Sequence, residues 1–124
     1  MARQSGGLID ILAANTSYIA FILPAGRRAV IKKIMWYNNT GGNGFLRIGA
    51  TVAAAFTQLL PSILMVNGVD GELGEAEIPI CGNAPEGFFA DTTVATLTTG
   101  DIVVQGTVGA AIPNCRVILE VEVE

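Results

Sequence analysis

Hydrophobic and polar positions alternate most cleanly at the end of the chain. Val117, Leu119, Val121 and Val123 fall on one face of an extended segment, and Glu120, Glu122 and Glu124 fall on the other. That period of two is the mark of a strand with one dry and one wet side. A slip of one residue would bury three carboxylates, so the register of this strand is firmly specified. Ile102 to Val108 alternates as well, with Ile102, Val104 and Val108 against Val103, Gln105 and Thr107. Near the N-terminus, Leu8 to Ala13 and Ser17 to Leu23 read as two short strands parted by the turn-prone Asn15 and Thr16. The second is apolar on both faces, which predicts a strand covered on both sides. After a turn at Pro24 to Arg27, Ala29 to Asn38 reads as a long strand. Its neighbouring Lys32 and Lys33 fall on opposite faces, so the strand is expected to change environment along its length.

Turn chemistry divides the remainder. Asn38 to Gly44 is the strongest reversal signal, since asparagine and glycine tolerate positive φ, and Phe45 to Ala50 is expected to return as the partner strand of a hairpin. In Thr51 to Val66, the stretch Ala53 to Leu60 fits either a short helix ended by Pro61 or an irregular strand. Asn67 to Glu75 reads as an acidic, glycine-spaced loop. A short strand around Ala76 to Ile80 follows, then a loop through Gly82, Asn83, Pro85 and Glu86. Gly87 to Ala90 and Thr93 to Leu97 are strand material, and Thr98 to Asp101 is a turn. Short strands separated by frequent turns, with at most one short helix, predict an all-β fold. It is a single β-sandwich with jelly-roll or related Greek-key connections. Residues 1–7 are expected to form a flexible N-terminal arm and residues 8–124 the sandwich domain.

Composition narrows the possible functions. The chain has 124 residues, 51% hydrophobic and 15% charged, which suits one folded domain and excludes whole-chain disorder. Seven Lys and Arg stand against 11 Asp and Glu, for a net charge of −4, so nucleic acid is not the expected partner. Histidine, the commonest acid/base residue and metal ligand, is absent. Cys81 and Cys115 lie too far apart for a close metal-ligand pair. They are expected to be free, partly buried thiols, with a disulfide open only if the fold brings their Cα atoms within about 7 Å. Asp10 and Asn15 interrupt the apolar N-terminal region, and no window of uninterrupted apolar residues is long enough to span a bilayer. A soluble protein made in the cytoplasm, without a membrane anchor, is the expectation. So much apolar residue in a small domain also implies that sister subunits cover part of its surface.

Few residues form chemical constellations. Asp70, Glu72, Glu75 and Glu77 could offer oxygen ligands to calcium, but their spacing is not that of an EF-hand, and a solvated turn is the expected reading. No metal or cofactor is expected. Arg27, Arg28, Lys32 and Lys33 form the basic cluster, suited to docking on an acidic partner surface or to guarding an edge strand. Tyr18, Trp36 and Tyr37 could make a sugar platform, although core packing accounts for them better. Ser5, Ser17 and Ser62 have no histidine to activate them, and Gly41 to Gly44 lacks the lysine of a phosphate loop. An enzyme is not expected.

Several features carry a resemblance. They are the N-terminal arm, the Pro24-Ala25-Gly26 turn feeding a long strand, and the loop Val66-Asn67-Gly68-Val69-Asp70-Gly71. The turn Thr99-Gly100-Asp101 before Ile102-Val103-Val104 and the acidic last strand complete the set. In overall pattern the chain resembles the capsid decoration, or cement, proteins of tailed bacteriophages. The resemblance implies a non-catalytic protein on the virion surface, made in the host cytoplasm. Such a protein assembles with itself, typically as a trimer, and stabilises the shell by bridging major capsid subunits, with neither nucleic acid nor membrane as a partner. It implies capsid contacts in the segment from Ala2 to Leu12, including Ala2, Arg3, Gln4, Leu8 and Ile9, alongside the basic cluster. The alternative is a carbohydrate- or calcium-binding β-sandwich module.

Overall fold

The computed structural model describes residues 3–23, 28–52, 55–74, 77–78, 88–90 and 101–123. Ten strands run in chain order: β1 (Arg3–Asp10), β2 (Tyr18–Phe21), β3 (Arg28–Asn38), β4 (Gly44–Val52), β5 (Ala55–Gln58), β6 (Ile63–Met65), β7 (Val69–Gly74), β8 (Phe88–Ala90), β9 (Ile102–Gly106) and β10 (Cys115–Val123). They form two antiparallel sheets. One, the β1 sheet, has the order β1-β10-β3-β7, with β8 also on β3; the other, the β2 sheet, has the order β2-β9-β4-β5, with β6 also on β4. Pairing runs from the chain ends inward: β1 with β10, β2 with β9, β3 with β7 and β8, and β4 with β5 and β6. This is one long hairpin rolled up so that its limbs alternate between two sheets, the jelly-roll arrangement of a β-sandwich.

The core lies between the sheets. Ala29, Ile31, Ile34, Val117, Leu119 and Val121 face it from the β1 sheet, and Leu46, Ile48, Ile63, Met65, Ile102 and Val104 from the β2 sheet. In β10 burial alternates residue by residue, with Cys115, Val117, Leu119, Val121 and Val123 inward, as the sequence pattern predicts.

Four readings of the sequence need correction. Residues 38–44 do not close a hairpin, because β3 and β4 lie in different sheets. The buried Asn38 builds this corner instead. Its Nδ2 donates to the carbonyls of Met65 (2.8 Å) and Gly42 (3.0 Å), and its Oδ1 accepts from the Thr40 N–H (3.1 Å) and Oγ1 (2.8 Å). Lys32 and Lys33 do not face opposite ways. On β3, Lys33 pairs with Glu120 and Ile31 with Val121, so Lys32 is the extra residue of a β-bulge. The bulge shifts parity, letting Ala29 and Ile31 on one side and Ile34 and Trp36 on the other all point inward while both lysines stay on the wet face. Most of the expected acidic loop is strand β7; of the two readings open for Ala53 to Leu60, helix or irregular strand, Ala55 to Gln58 takes the strand. Finally, β2 is an edge strand whose Ile19 is exposed rather than covered.

The first strand begins at Arg3 rather than Leu8, so residues expected in the arm and in the sandwich share one strand. A bulge between Ser5 and Leu8 uses Gly7 at φ 83°, a conformation that favours glycine. The Pro24 to Arg27 turn and the strand at 93–97 lie outside the described residues. Of the strand expected around Ala76 to Ile80, only 77–78 are described; they are not strand, and Ile78 packs on the core.

Candidate partner-binding surfaces

The two outer faces of the sandwich differ sharply in charge. The strands of the β1 sheet carry Arg3, Arg28, Lys32, Lys33 and Arg116 against Asp10, Asp70, Glu72, Glu120 and Glu122, a balanced set. The strands of the β2 sheet carry one charged residue, Arg47.

On the β1 sheet the register arranges outward side chains in rows that cross four strands. One row is Leu8, Ile118, Met35 and Glu72; the next is Asp10, Arg116, Tyr37 and Asp70. The charges are largely matched within the face. Arg116 Nε donates to Asp10 Oδ1 at 2.7 Å, Lys33 lies 3.5 Å from Glu72, and Lys32 lies 3.5 Å from Glu122. Over the two rows lies a groove of about 520 Å³, floored by Leu8, Met35 and Ile118, walled by Tyr37 and Pro113, and edged by Arg116, Asp70 and Glu72. Such a groove, apolar below and charged at the rim, suits the side chains of a protein segment laid across the sheet.

On the β2 sheet, Ile19 (52% exposed) lies on the outer face beside Val103, and Phe45 (46%) lies beside Leu64 (49%). Phe45 is rigidly presented. Its N–H donates to Thr107 Oγ1 at 2.7 Å, and its carbonyl accepts from the Thr107 N–H at 3.0 Å. Gly49, on the same face, is buried where a Cβ would run into the Thr57 carbonyl oxygen, so β5 covers β4 there, and its cross-strand partner Val103 is buried as well.

The sequence-stated partner residues come together on one sheet. Arg3, Gln4, Leu8 and Ile9 are on β1, and Arg28, Lys32 and Lys33 are on β3, with β10 between them. Ile9 packs on the core, whereas Leu8 is in the groove. Ala2 and Arg27 lie outside the described residues. The lysines guard no edge, because β3 is an interior strand.

The calcium candidates are dispersed. Asp70 stands opposite Tyr37, Glu72 reaches Lys33, and Glu77 Oε1 accepts from the Gly74 N–H at 3.1 Å; Glu75 is outside the described residues. Among the described residues no three His, Cys, Asp or Glu side chains are grouped to hold a metal ion. The aromatic trio is divided too. Tyr18 and Trp36 pack on the core, Trp36 with its indole where a Gly71 side chain would stand, and Trp36 and Tyr37 line the groove while Tyr18 does not. Cys115 is a buried free thiol whose pKa burial raises above the ordinary value. Cys81 lies outside the described residues.

The groove and the Ile19–Phe45–Leu64 face were not singled out from sequence. Both depend on which strands become neighbours, and Leu8, Ile118 and Met35 are far apart along the chain. The exposed face of β2 had one signal, an edge-length strand apolar on both sides. No protein-family model matches the chain, and no curated protein matches it.

Proposed function

We propose that this protein is a non-catalytic structural module that assembles with copies of itself and binds the outer surface of a viral capsid, stabilising the shell. The observation that carries the proposal is the two-sided surface: a charged, grooved face on the β1 sheet and a nearly uncharged face with exposed apolar anchors on the β2 sheet. A cement protein needs two kinds of contact, one to its sisters and one to the shell. Jelly rolls serve in viral capsids, lectins and cupins, so the fold by itself chooses no function. Tyr18 stands apart from the groove that Trp36 and Tyr37 line, so the three aromatics do not make one sugar platform. The groove supplies the capsid-facing role in this reading, with Leu8 and Met35 as its apolar contacts and Lys33 and Arg116 beside them.

The test is co-sedimentation of the purified protein with shells of tailed bacteriophages. Saturable binding to a shell, weakened at least tenfold by Met35→Lys in the groove floor, is expected. Failure to bind any shell, together with saturable binding to a glycan array lost in Tyr37→Ala, would replace this function with that of a carbohydrate-binding module.

A further inference from the structure

We infer that the open edge of β7 is a docking site for an extended segment of a partner protein that alternates basic and apolar residues and pairs with the β1 sheet as an added strand. The inference rests on the proposed capsid-facing role of this sheet and names the chemistry of the segment it takes. The other edges of the fold are unsuited to such pairing. β1 is broken by its bulge between Ser5 and Leu8, β2 by a register shift between Ile19 and Phe21, and β5, β6 and β8 have only three or four residues. β7 keeps six residues in unbroken register with β3, and among the described residues no strand pairs with its outer side.

The hydrogen-bond parity shows what that edge offers. Backbone groups of successive strand residues point alternately to the two neighbouring strands. The Asn39 N–H donates to the Asn114 carbonyl at 2.7 Å, so Tyr37 and Met35 also turn toward β10, while Asn38, Trp36 and Ile34 turn toward β7. Their partners Val69, Gly71 and Leu73 carry the ladder, and Asp70 and Glu72 send both N–H and C=O outward. Gly74 follows the same parity, its N–H donating to Glu77 Oε1 at 3.1 Å, which caps the edge at that end.

Side chains specify the occupant. Asp70 and Glu72 stand opposite Tyr37 and Met35 on the outer face, both exposed. Among the described residues no cation pairs with Asp70, and Glu72 has only the exposed Lys33 pair at 3.5 Å. Residues of an added strand opposite these two are therefore matched by lysine or arginine. Between them, Gly71 presents no side chain, and the half-buried Trp36 and Leu73 leave apolar surface at the inner side of the edge. An apolar residue fits there. A second copy does not supply this pattern through its own β7, because antiparallel pairing of the two edges sets acid against acid.

The experiment is an NMR titration of the full chain with a capped peptide of alternating lysine and valine, with a glutamate and valine peptide as the control. The expected result is saturable binding of the lysine peptide alone, with slowed hydrogen exchange at the Asp70 and Glu72 amides. Glu72→Pro removes one outward N–H and leaves the β3 ladder whole, so it should weaken binding at least tenfold. If the proline prevents folding, Asp70→Asn/Glu72→Gln keeps the edge groups, removes the charge and should show the same direction. No binding of the lysine peptide, equal binding of the glutamate peptide, or unchanged affinity in the folded variants overturns the proposal. Protection of the same amides in the protein alone, with a doubled solution mass, assigns the edge to a second copy and overturns it as well. Shell co-sedimentation keeps the two readings apart. A shell bound equally well by folded Glu72→Pro removes the edge from the capsid contact and leaves the capsid role intact, whereas a peptide bound at the edge with no shell bound supports the edge and overturns the capsid role.

Discussion

Asn38 is the polar residue on which the corner between the two sheets depends. It is buried, and its amide makes every hydrogen bond within reach: two carbonyls accept from Nδ2, and Thr40 donates twice to Oδ1. Replacing it by leucine of similar size would leave the buried Met65 carbonyl without that donor, at about 1–3 kcal/mol, while the Gly42 carbonyl keeps the Thr40 hydroxyl. Asn38→Leu is therefore expected to lower stability by about 1–3 kcal/mol in urea unfolding, with a lower midpoint and an unchanged slope. Gly49 is the steric counterpart. Any side chain there meets backbone at Thr57 rather than a flexible side chain, so Gly49→Ala should cost about 2 kcal/mol or more, and a null effect in the same assay would contradict the close β4–β5 approach. Cys115 supplies a pH-dependent term. Burial favours its neutral thiol and raises the pKa above the ordinary 9.0, so above that pH the unfolded chain loses a proton that the folded chain keeps. Stability is then expected to fall as pH climbs past 9.0 toward the raised value, and Cys115→Val in a Cys81→Ala background should flatten that fall.

Among the elements, β3 shows what one inserted residue does. Its sequence has inward residues at odd positions up to Ile31 and at even positions from Ile34, a pattern no regular strand can satisfy. The bulge at Lys32 reconciles them by opposing two residues to one on β10. Deleting Lys32 removes the bulge and leaves Ala29, Ile31, Ile34 and Trp36 on one face of a regular strand in the same pairing with β10. The variant is expected to keep cooperative unfolding in urea, and Lys32→Ala should cost less than about 1 kcal/mol for the lost surface pair. Sequence reading found the inconsistency in the two adjacent lysines but not its resolution, because a bulge is decided by the partner strand. It found β10 almost fully, since Val117 to Val123 alternate without interruption. It extended the loop at 67–75 too far, because Asp70, Gly71 and Glu72 are poor strand formers on their own and are held in β7 by pairing with Tyr37, Trp36 and Met35. The same dependence hid the groove, whose floor is assembled from three strands distant in the chain.

At the scale of the whole molecule, the all-β class was legible from short alternating segments, but the corner at Asn38 was not. A run of asparagine and glycine turns the chain equally well within a sheet or between sheets, and only the buried Asn38 contacts to Met65 distinguish the two. The consequence is functional, because sending β4 to the second sheet collects the nearly uncharged strands on one face and the charged ones on the other. Two outer faces with opposite solvation should respond differently to ions. A contact made through the β2 face would bury apolar groups and one arginine, so it would persist from low to high sodium chloride and strengthen in sulfate, which promotes burial of apolar surface. Contacts made through the rim of the β1 groove, by contrast, involve Arg116, Asp70 and Glu72 at the surface and should weaken with rising salt as those charges are screened. Shell co-sedimentation at two salt concentrations therefore separates the faces without any substitution. Weaker binding at high salt is expected from a capsid-facing β1 sheet, and binding that persists would assign the shell contact to the β2 face instead.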